Sequence, residues 1–455
     1  MRLTSRTSAL DLAGIGIGPA NLSLAALLKP HPHIRSRFFD RRGEFQWHAG
    51  LMFPRAVLQM PYLKDLVSLV DPTNDLSFLS FLVKHKRLLP FINANFPQVL
   101  RREFNQYYRW ACEQLPTLEF GNEVESVSVD NGMFVLNGKG WTQTTRHLVL
   151  GTGLQPAVPD CAKPWLGATL LHASRYLINN NSFEGKRVVV VGGGQTGAEV
   201  FQHLISDTDA LPASVVWVSR RGNFLPLDES PFASELYTPE YSNYFYSLPE
   251  AQRRQSLSEQ KLASDGISST LLESIYRRVY ELRHVICHPC DLQLSPGREL
   301  IDVVQHRSEW ELTLRHSQRE ILERLDADIV ILCTGYAYGG LPSCFDPIAG
   351  RVHLHNGEFE VRDDYSIAWD GPSASKIYVQ NAARAQRGIA DPNLGLIAWR
   401  CAKIINSVAQ QQVYEVAELT PFVNWDAREI PVQKETSFRR TALQADSALM
   451  DLAED

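Results

Sequence analysis

The chain has 455 residues, of which 51 are acidic and 45 are lysine or arginine, and its formal net charge is −6 at pH 7. This length predicts two or more domains, and the mildly acidic balance gives no reason to expect nucleic acid or an anionic membrane as a partner. No apolar run reaches the roughly 18 residues of a membrane span, and the first nine residues lack the apolar centre of a secretory signal, so we expect a cytoplasmic protein.

A glycine-rich turn follows a predicted strand at residues 10–13 and leads into a predicted helix. It reads Gly14-Ile15-Gly16-Ile17-Gly18-Pro19-Ala20-Asn21. Such turns bring backbone N–H groups and a helix N-terminus against a pyrophosphate. Pro19 stands where the plain pattern has its third glycine, and the first helical residue needs no N–H. The next predicted strand, 36–39, ends at Asp40, an acid suited to a ribose hydroxyl pair. The predicted cofactor contacts of this unit are Gly14, Gly16, Gly18, Pro19, Asn21 and Asp40.

A second turn of the same kind follows the valine-rich run at residues 187–191. It reads Gly192-Gly193-Gly194-Gln195-Thr196-Gly197, and the predicted strand after it, 214–218, ends in Ser219-Arg220-Arg221. A hydroxyl and two cations at that position fit a 2′-phosphate, which favours NADPH over NADH. The predicted contacts are Gly192, Gly194, Gln195, Gly197, Ser219 and Arg220. Two dinucleotide turns in one chain indicate a flavin that is reduced by a nicotinamide.

The remaining pattern predicts an α/β fold with two Rossmann-like dinucleotide-binding domains and a helical insertion. Strands at 148–150 and 327–333 end in Gly151-Thr152-Gly153 and Thr334-Gly335-Tyr336, which suit crossings between the two domains. Residues 228–283 read as polar helices broken by prolines. A further strand is expected at 377–381 and a helix at 394–405. We therefore expect an FAD-binding domain of residues 10–165 and 341–430, an NADPH-binding domain of 166–228 and 284–340, a substrate-binding helical insertion at 229–283, and a flexible tail at 431–455.

Seven cysteines form no regular framework, and the only close pair is Cys287-His288-Pro289-Cys290. This pair could be a redox dithiol or half of a metal site, but no second Cys/His pair at zinc-like spacing accompanies it, and we predict no metal. A flavin-dependent disulfide or electron-transfer reductase is the rival class, since it also needs two dinucleotide folds. Its cysteine pair would lie beside the flavin or near a glycine turn, whereas Cys287 and Cys290 come well after both turns. A non-catalytic flavoprotein is a weaker alternative.

Several collinear motifs resemble those of the flavin-dependent N-hydroxylating monooxygenases of hydroxamate siderophore biosynthesis. The resemblance covers about residues 10–425 and looks closest to the lysine and aliphatic diamine N-hydroxylases. Besides the two glycine turns, it rests on residues 45–48, 59–66, 101–104, 108–110, 228–232, 333–336 and 388–394.

The resemblance implies the chemistry. NADPH reduces FAD, O₂ adds to the reduced flavin, and the resulting C4a-hydroperoxide passes its distal oxygen to a primary amine. Bound NADP⁺ would shield that intermediate from water. The amine must be neutral to attack, although a free alkyl ammonium has a pKa of about 10.4, and a dry pocket helps by disfavouring the charged form.

The resemblance also assigns roles to individual residues. Trp47, His48 and Gln59 would lie beside the isoalloxazine ring, and Lys64 would meet the polar end of an amino-acid substrate. Arg101 would lie near the cofactors, and Arg220 would pair with the 2′-phosphate. Further cofactor contacts are expected at Thr334, Gly335, Asp391 and Leu394, and further substrate contacts at Ser234, Glu235, Ser264, Asp265 and Gly395. O₂ and a small amine are the expected partners of a homo-oligomeric enzyme.

Three departures bear on the substrate. Ornithine hydroxylases of the family carry an asparagine in the stretch matching 230–235, another in the stretch matching 261–266, and a serine where this chain has Gly395. Their loss makes ornithine an unfavoured substrate and weakens the case for any α-amino acid, because a buried carboxylate without donors loses affinity. The sequence therefore favours a diamine, cadaverine or putrescine, whose distal ammonium could meet Asp265 or Glu235. L-Lysine is the close alternative because Lys64 is retained.

Overall fold

Two large β-sheets, one mixed and one parallel, are each built around the strand that enters one of the glycine turns. The computed structural model describes residues 4–5, 8–179, 181–416 and 422–426. The strands are β1 Thr4–Ser5, β2 Leu10–Ile15, β3 Ser36–Asp40, β4 Leu118–Phe120, β5 Ser126–Asp130, β6 Met133–Gly138, β7 Trp141–Leu150, β8 Gln155–Pro156, β9 Leu170–His172, β10 Arg187–Val191, β11 Ser214–Ser219, β12 Asp291–Pro296, β13 Arg298–His306, β14 Glu309–His316, β15 Leu322–Ala327, β16 Ile329–Leu332, β17 Tyr336–Ala337, β18 Leu354–His355, β19 Glu358–Phe359 and β20 Ile377–Val379.

The α-helices fall mainly into a group before β4 and a group between β11 and β12. They are α1 Pro19–Leu28, α2 Phe78–Lys84, α3 Leu88–Ala94, α4 Arg101–Glu113, α5 Gln195–Leu204, α6 Pro231–Ser234, α7 Pro239–Ser247, α8 Glu250–Glu259, α9 Lys261–Asp265, α10 Ser269–Tyr280, α11 Arg384–Arg387 and α12 Ile397–Ala409. Among the described helices, none is both long enough and apolar enough to cross a membrane.

The first sheet has eight strands in the order β4-β3-β2-β7-β6-β5, with β1 and β20 also pairing with β7. β2 lies in the middle and pairs in parallel with β3 and β7. Helix α1 packs against α12, and all of its residues except Pro19 are buried. A helix that is apolar on every side must be enclosed, which explains why this segment has no polar face.

The second sheet has five parallel strands in the order β12-β11-β10-β16-β9. Alternate residues of β10 enter two different cores, as expected of a strand covered on both faces. Val188 and Val190 pack in the core that includes Phe201 of α5. Val189 and Val191 pack in the core that includes Leu312 of β14. The antiparallel sheet β13-β14-β15 thus covers the face opposite α5, and the predicted α/β fold with two Rossmann-like units is confirmed.

The two predicted crossing segments run side by side between the sheets. β8, which follows Gly153, pairs antiparallel with β17, which follows Gly335. The Thr334 hydroxyl donates to the Ala157 carbonyl at 2.5 Å, and the Ala157 N–H donates to the Gly335 carbonyl at 2.9 Å. The chain therefore leaves and re-enters the first sheet through one paired connection.

Other elements match the predictions to different degrees. The polar segment 229–283 is helical, and it contains α6 to α10. The antiparallel sheet β13 to β15 was not expected, and the helix predicted at 394–405 begins as a 3₁₀ turn at Leu394–Leu396 before α12. Met1–Pro421 form one compact unit and Phe422–Asp455 a second. The tail predicted at 431–455 lies outside the described residues, and the boundaries of the two nucleotide domains stay a prediction.

A buried ion pair joins helices that belong to the two sheets. Arg101, the first residue of α4, donates to both carboxylate oxygens of Glu199 on α5, at 2.8 and 3.2 Å. The two side chains are only 14% and 7% exposed. Arg101 also donates to the Leu51 carbonyl at 2.9 Å. In such surroundings an unpaired partner would keep its desolvation penalty, so the pair holds the two helices together.

We predict that Glu199→Gln lowers the free energy of unfolding by about 3 kcal/mol, because the substitution leaves a buried guanidinium without its counter-charge. Denaturant unfolding measures the effect. The matched control is Glu44→Gln, which breaks the exposed Arg109–Glu44 pair and should cost less than about 1 kcal/mol. Equal losses in the two variants would contradict the assignment.

A second prediction concerns Gly197, which lies in the first turn of α5. A Cβ there would meet the Gly192 carbonyl oxygen at 2.0 Å. Because a backbone atom cannot move aside cheaply, Gly197→Ala should destabilise the protein by about 2 kcal/mol or more in unfolding experiments without nicotinamide. Gly222→Ala is the control, since an added Cβ at Gly222 has no neighbour within 4 Å, and its change should stay within about 0.5 kcal/mol. An unaltered stability of Gly197→Ala would refute the close approach.

Candidate active site

The first glycine turn is shaped by close backbone approaches and leaves a helix N-terminus open. Gly16 has φ +88°, and a Cβ there would lie 2.5 Å from the Gly151 carbonyl oxygen, so no other residue fits. Gly18 is the N-cap of α1 and Pro19 its first residue, as predicted. No side chain caps this helix, and a Cβ at Gly18 would have no neighbour within 4 Å. The exposed N–H groups and the free space fit a pyrophosphate.

Two further predicted residues, Asn21 and Gly14, hold the backbone of this turn in place. The Asn21 amide donates to the Gly16 carbonyl at 2.8 Å, while its Oδ1 is buried without a partner among the described residues. Gly14 lies against Phe38, whose ring a Cβ would meet at 2.1 Å. Asn21 and Gly14 therefore fix the position of the turn, and their predicted contacts with a cofactor would be made through it.

Asp40 is engaged by the protein itself. Its Oδ2 accepts the Ile17 N–H at 2.8 Å and Arg42 Nη2 at 2.7 Å, and its Oδ1 accepts Arg42 N and Nε at 2.8 and 2.9 Å. Burial opposes ionisation, but the bonds from Arg42 and Ile17 outweigh it and lower the pKa of Asp40. All four lone-pair positions are used, so the predicted contact with a ribose would require Arg42 to turn away.

The second turn has the same construction. Gly192 has φ +138°, and a Cβ there would lie 2.1 Å from the Cys333 carbonyl oxygen. Gly194 is the N-cap of α5, again without a side-chain cap. The Gln195 amide donates to Glu199 at 3.0 Å, and its oxygen accepts the Ser268 N–H at 2.9 Å. Gln195 thereby connects this turn to the Arg101–Glu199 pair and to the start of α10.

The last residue of β11, Ser219, and the two arginines that follow it differ in their surroundings. Ser219 is buried, and its hydroxyl accepts the Arg221 N–H at 3.1 Å. Arg221 donates to the Asp265 carbonyl at 2.8 Å, so its guanidinium is held by the helical segment. Arg220 is exposed and, within the described part of the chain, makes no ion pair. Arg220 is therefore the arginine of this pair that can turn toward a phosphate.

Trp47 and His48 lie next to Arg101. The Trp47 ring packs edge-on against Tyr108 at 5.2 Å between centroids, and His48 adopts a left-handed conformation with φ +48°. His48 is exposed at the surface, and partial loss of hydration beside the neighbouring protein, together with the charge of Arg101, lowers its imidazole pKa to about 4. The ring is accordingly neutral at pH 7. Gln59 is exposed on the segment that leads to Lys64.

Lys64 and Gly395 lie together. A Cβ at Gly395 would be 3.2 Å from Lys64 Cδ and 3.8 Å from Nζ, so the absence of a side chain makes room for the lysine. Burial lowers the pKa of Lys64, and the nearby charge of Glu235 acts in the opposite direction. The adjacent Asp65 does not neutralise Lys64, because its carboxylate accepts from the N–H groups of residues 67, 68 and 78 and from the Ser68 hydroxyl.

The other predicted substrate residues separate into two places. Glu235 is half-buried and its charge raises the pKa of Lys64, whereas its neighbour Ser234 is exposed. Ser264 donates to Asp265 Oδ1 at 2.9 Å, and the Asp265 carbonyl lies beside the second glycine turn, where a Cβ at Gly194 would meet it at 3.8 Å. The Tyr237 hydroxyl donates to the Ala263 carbonyl at 2.7 Å and so links the two places.

In the motif at residues 388–394, Asp391 is buried, pairs with Arg400 at 2.8 Å and accepts the Ala383 N–H at 2.9 Å. Leu394 is half-buried against the core of the first sheet. Thr334 and Gly335 lie in the crossing segment described above. In these positions Asp391 orders the loop that carries Gly395, and its predicted contact with the cofactor stays a prediction.

Sequence reasoning did not identify three residues of this region. These are Arg42, which donates to the Asp40 carboxylate, Glu199, which pairs with Arg101, and Asn393, whose Oδ1 accepts the Gly395 N–H at 2.7 Å. The i,i+4 spacing of Gln195 and Glu199 on one predicted helix could have indicated the role of Glu199.

The cysteine pair lies partly at the surface. Cys287 is exposed and Cys290 buried, and burial raises the pKa of the Cys290 thiol to about 11. Among the described residues, no group of three or more His, Cys, Asp or Glu could hold a metal ion.

The chain is similar over most of its length to known amine N-monooxygenases. The chain is 38% identical to an L-lysine N6-monooxygenase of Escherichia coli over 91% of its length and 98% of that protein. A cadaverine monooxygenase of the desferrioxamine pathway of Erwinia amylovora, solved with FAD, is 30% identical with a TM-score of 0.87, covering 93% of this chain and all of that one. An ornithine N-hydroxylase of Kutzneria sp. 744, solved with reduced FAD, NADP⁺ and L-ornithine, is 25% identical with a TM-score of 0.82, covering 89% and 99%.

These relatives confirm FAD and NADPH as the cofactors at the level of the family. Residues 8–338 match the model of the L-lysine 6-monooxygenase/L-ornithine 5-monooxygenase family. That match includes both glycine turns, Lys64, the Arg101–Glu199 pair and the helical segment, and the predicted resemblance to flavin-dependent N-hydroxylating monooxygenases is confirmed. The chain belongs to the L-lysine 6-monooxygenase/L-ornithine 5-monooxygenase family.

Proposed function

We propose that the protein is an FAD- and NADPH-dependent monooxygenase that N-hydroxylates the side-chain amine of L-lysine in hydroxamate siderophore biosynthesis. The observation that carries this proposal is the half-buried Lys64, whose ammonium forms no ion pair within the described chain and which lies over Gly395 in a protein with two open dinucleotide turns. A partly buried ammonium without an ion-pair partner can bind an anion, and the carboxylate of an amino acid supplies one.

The residues of the two turns fit the two cofactors. Gly14, Gly16, Gly18 and the uncapped α1 would hold the FAD pyrophosphate, with space at Gly18 for its approach. Gly192, Gly194, Gly197 and the uncapped α5 would hold that of NADPH. Residues 10–165 and 341–430, which contain most of the first sheet, would then form the FAD domain. Residues 166–228 and 284–340 would form the NADPH domain. The helical insertion 229–283 would close over the substrate.

Bound FAD, reduced by NADPH, would supply the redox chemistry that delivers one oxygen atom of O₂ to the amine. The chain's own residues would keep the surroundings dry and fix the reactants. Trp47 packs on Tyr108 and excludes water. His48 stays neutral at pH 7 and so adds no positive charge that would repel a cation or compete with Arg101. An amine that leaves water for this apolar wall loses its proton more readily, which exposes the lone pair that attacks.

A diamine substrate is the second candidate. The altered positions around 230–235 and 261–266 and at Gly395 favour it, as does the similarity to a cadaverine monooxygenase. Lysine is preferred because a diamine would bring a second ammonium toward Lys64, whose ammonium forms no ion pair in the described part of the chain. The greater identity to an L-lysine monooxygenase supports this order. The homo-oligomeric state stays a prediction.

We predict that hydroxylated product forms from L-lysine with a kcat/KM above those for cadaverine, putrescine and ornithine. The amines are compared at equal concentrations with NADPH, and hydroxylamine is measured against hydrogen peroxide, which reports uncoupled turnover. A sample without amine gives the background. A higher kcat/KM for either diamine would establish the second candidate instead, and no hydroxylamine from any amine would refute the proposed function.

We further predict that Arg220→Ala raises the KM for NADPH about tenfold or more, because a charge-assisted bond to phosphate contributes about 1.5–3 kcal/mol. The KM for NADH should not change, since NADH lacks the 2′-phosphate, and it serves as the internal control. Steady-state oxidation of the two nicotinamides provides the measurement. Equal use of NADPH and NADH by the wild type would overturn the assignment of Arg220.

A further inference from the structure

The helical segment 229–283 contacts helices that belong to both sheets. Its last helix, α10, packs against α5 of the second sheet, and Gln202 of α5 donates to the Ser274 hydroxyl of α10 at 2.6 Å. An earlier helix of the segment, α7, packs against α11, the short helix that follows β20 of the first sheet. The segment is therefore held at two separate places, one for each sheet.

Arg387, the last residue of α11, makes the contact with α7, and its side chain is fully buried. Its Nη1 donates to Asn243 Oδ1 of α7 at 3.1 Å, and its Cζ lies 4.0 Å from the ring centroid of Tyr246, also in α7. Its Nη2 donates to the Asp363 carbonyl at 2.6 Å, and the ring centroid of Tyr365 is 4.9 Å from Cζ. A planar guanidinium can bond at its edge and stack on its faces, so one side chain joins both segments.

The backbone at Arg387 also receives α7. The Ser242 hydroxyl donates to the Arg387 carbonyl at 3.3 Å. The next residue, Gly388, has φ +83°, and a Cβ there would lie 3.3 Å from the Phe245 ring. Helix α7 thus lies close against residues 387–388, at a place where a larger residue would be strained and would press on the helix.

Both segments that Arg387 joins lead to residues of the candidate site. The loop after Arg387 continues to Gly395, against which Lys64 lies. Helix α7 has Thr238 as its N-cap, and the Thr238 hydroxyl donates to the Glu235 carbonyl at 2.8 Å. A shift of α7 relative to α11 would therefore move the turn that carries Glu235 relative to the loop that carries Gly395.

We propose that Arg387 is a positioning residue for the hydroxylation, which holds α7 on the loop that carries Gly395 and so keeps the amine side of the site closed to water. This inference rests on the proposed function and concerns a residue outside the two glycine turns and the Lys64 segment. If water enters the site, the two electrons of NADPH reduce O₂ to hydrogen peroxide, and no oxygen atom reaches the amine.

The variant Arg387→Met should fold, because Asp363 keeps a partner. The Asp363 side chain is 67% exposed and also pairs with Lys403 at 2.9 Å. A methionine is flexible and apolar, so it can fill the space between the two tyrosine rings. Replacement of a buried charge by an apolar side chain of similar size is often neutral for stability. The variant thus removes the bonds to α7 and retains the packing.

Kinetic measurements use the FAD-loaded enzyme, NADPH and the amine that the wild type hydroxylates best. In Arg387→Met the KM for this amine should rise about tenfold, and peroxide should replace most of the hydroxylamine. The rate at which NADPH reduces the flavin without amine should change less than about twofold, since the second glycine turn is untouched. Arg387→Lys keeps the charge without the planar fork and should recover part of the product yield.

Hydrogen exchange of backbone amides locates the effect within the segment. In Arg387→Met the amides of α7 should exchange about tenfold faster, while those of α10, which Gln202 holds, should exchange as in the wild type. A residue that only stabilised the whole fold would change both helices alike. The matched control is Arg254→Met, which removes an exposed cation of α8 that pairs with Glu250 and should alter neither exchange nor turnover.

An unchanged KM and product yield in Arg387→Met, or equal changes in Arg254→Met, would overturn the proposal. A fall in flavin reduction by the same factor as in product formation would also overturn it. If the wild type hydroxylates no amine, the proposed function is refuted, whereas the exchange of α7 still tests the anchor. If Arg387→Met fails to retain FAD, Tyr246→Leu decides, because it removes the α7 ring from a half-buried position. An unchanged KM and product yield in that variant overturns the proposal.

Discussion

The pairing of Arg101 with Glu199 is the interaction on which the arrangement of the site depends. Arg101 begins α4, and Glu199 lies one turn into α5, the helix that leaves the second glycine turn. Through the Leu51 carbonyl the same guanidinium fixes the segment after His48, and through Gln195 the carboxylate reaches the start of α10. Four segments distant in sequence are therefore aligned by one buried charge pair, whose cost of desolvation is offset only when all these bonds form together.

The glycine turns place a second constraint on the site. Gly16 and Gly192 both have a positive φ, which residues with a side chain rarely adopt. Each also lies against a backbone carbonyl just after a neighbouring strand, that of Gly151 after β7 and that of Cys333 after β16. Because each helix that follows is capped by a glycine and by no side chain, its first N–H groups have no competitor inside the protein. The same geometry that binds a pyrophosphate thus prevents substitution of the glycines.

The surroundings of Lys64 are set by a residue that has no side chain. Removing the side chain at 395 gives Lys64 the space above Gly395, and Asn393 stabilises that glycine through its N–H. The Oε2 atom of Glu235 is buried and has no hydrogen-bond partner among the described residues.

The sequence by itself determined the features that depend on local chemistry. The strand predicted at 187–191 matches β10, Pro19 begins α1 as its fixed φ favours, and the polar segment 229–283 is helical, because glycine, proline and hydrophobic runs act over a few residues. Only the tertiary structure decided which side chains meet. The sheet β13 to β15 covers one face of β10, Arg42 donates to both oxygens of Asp40, and Asp265 lies by the second turn. Burial and pairing between residues far apart in the chain decide these contacts, and one sequence read from end to end carries no signal for them.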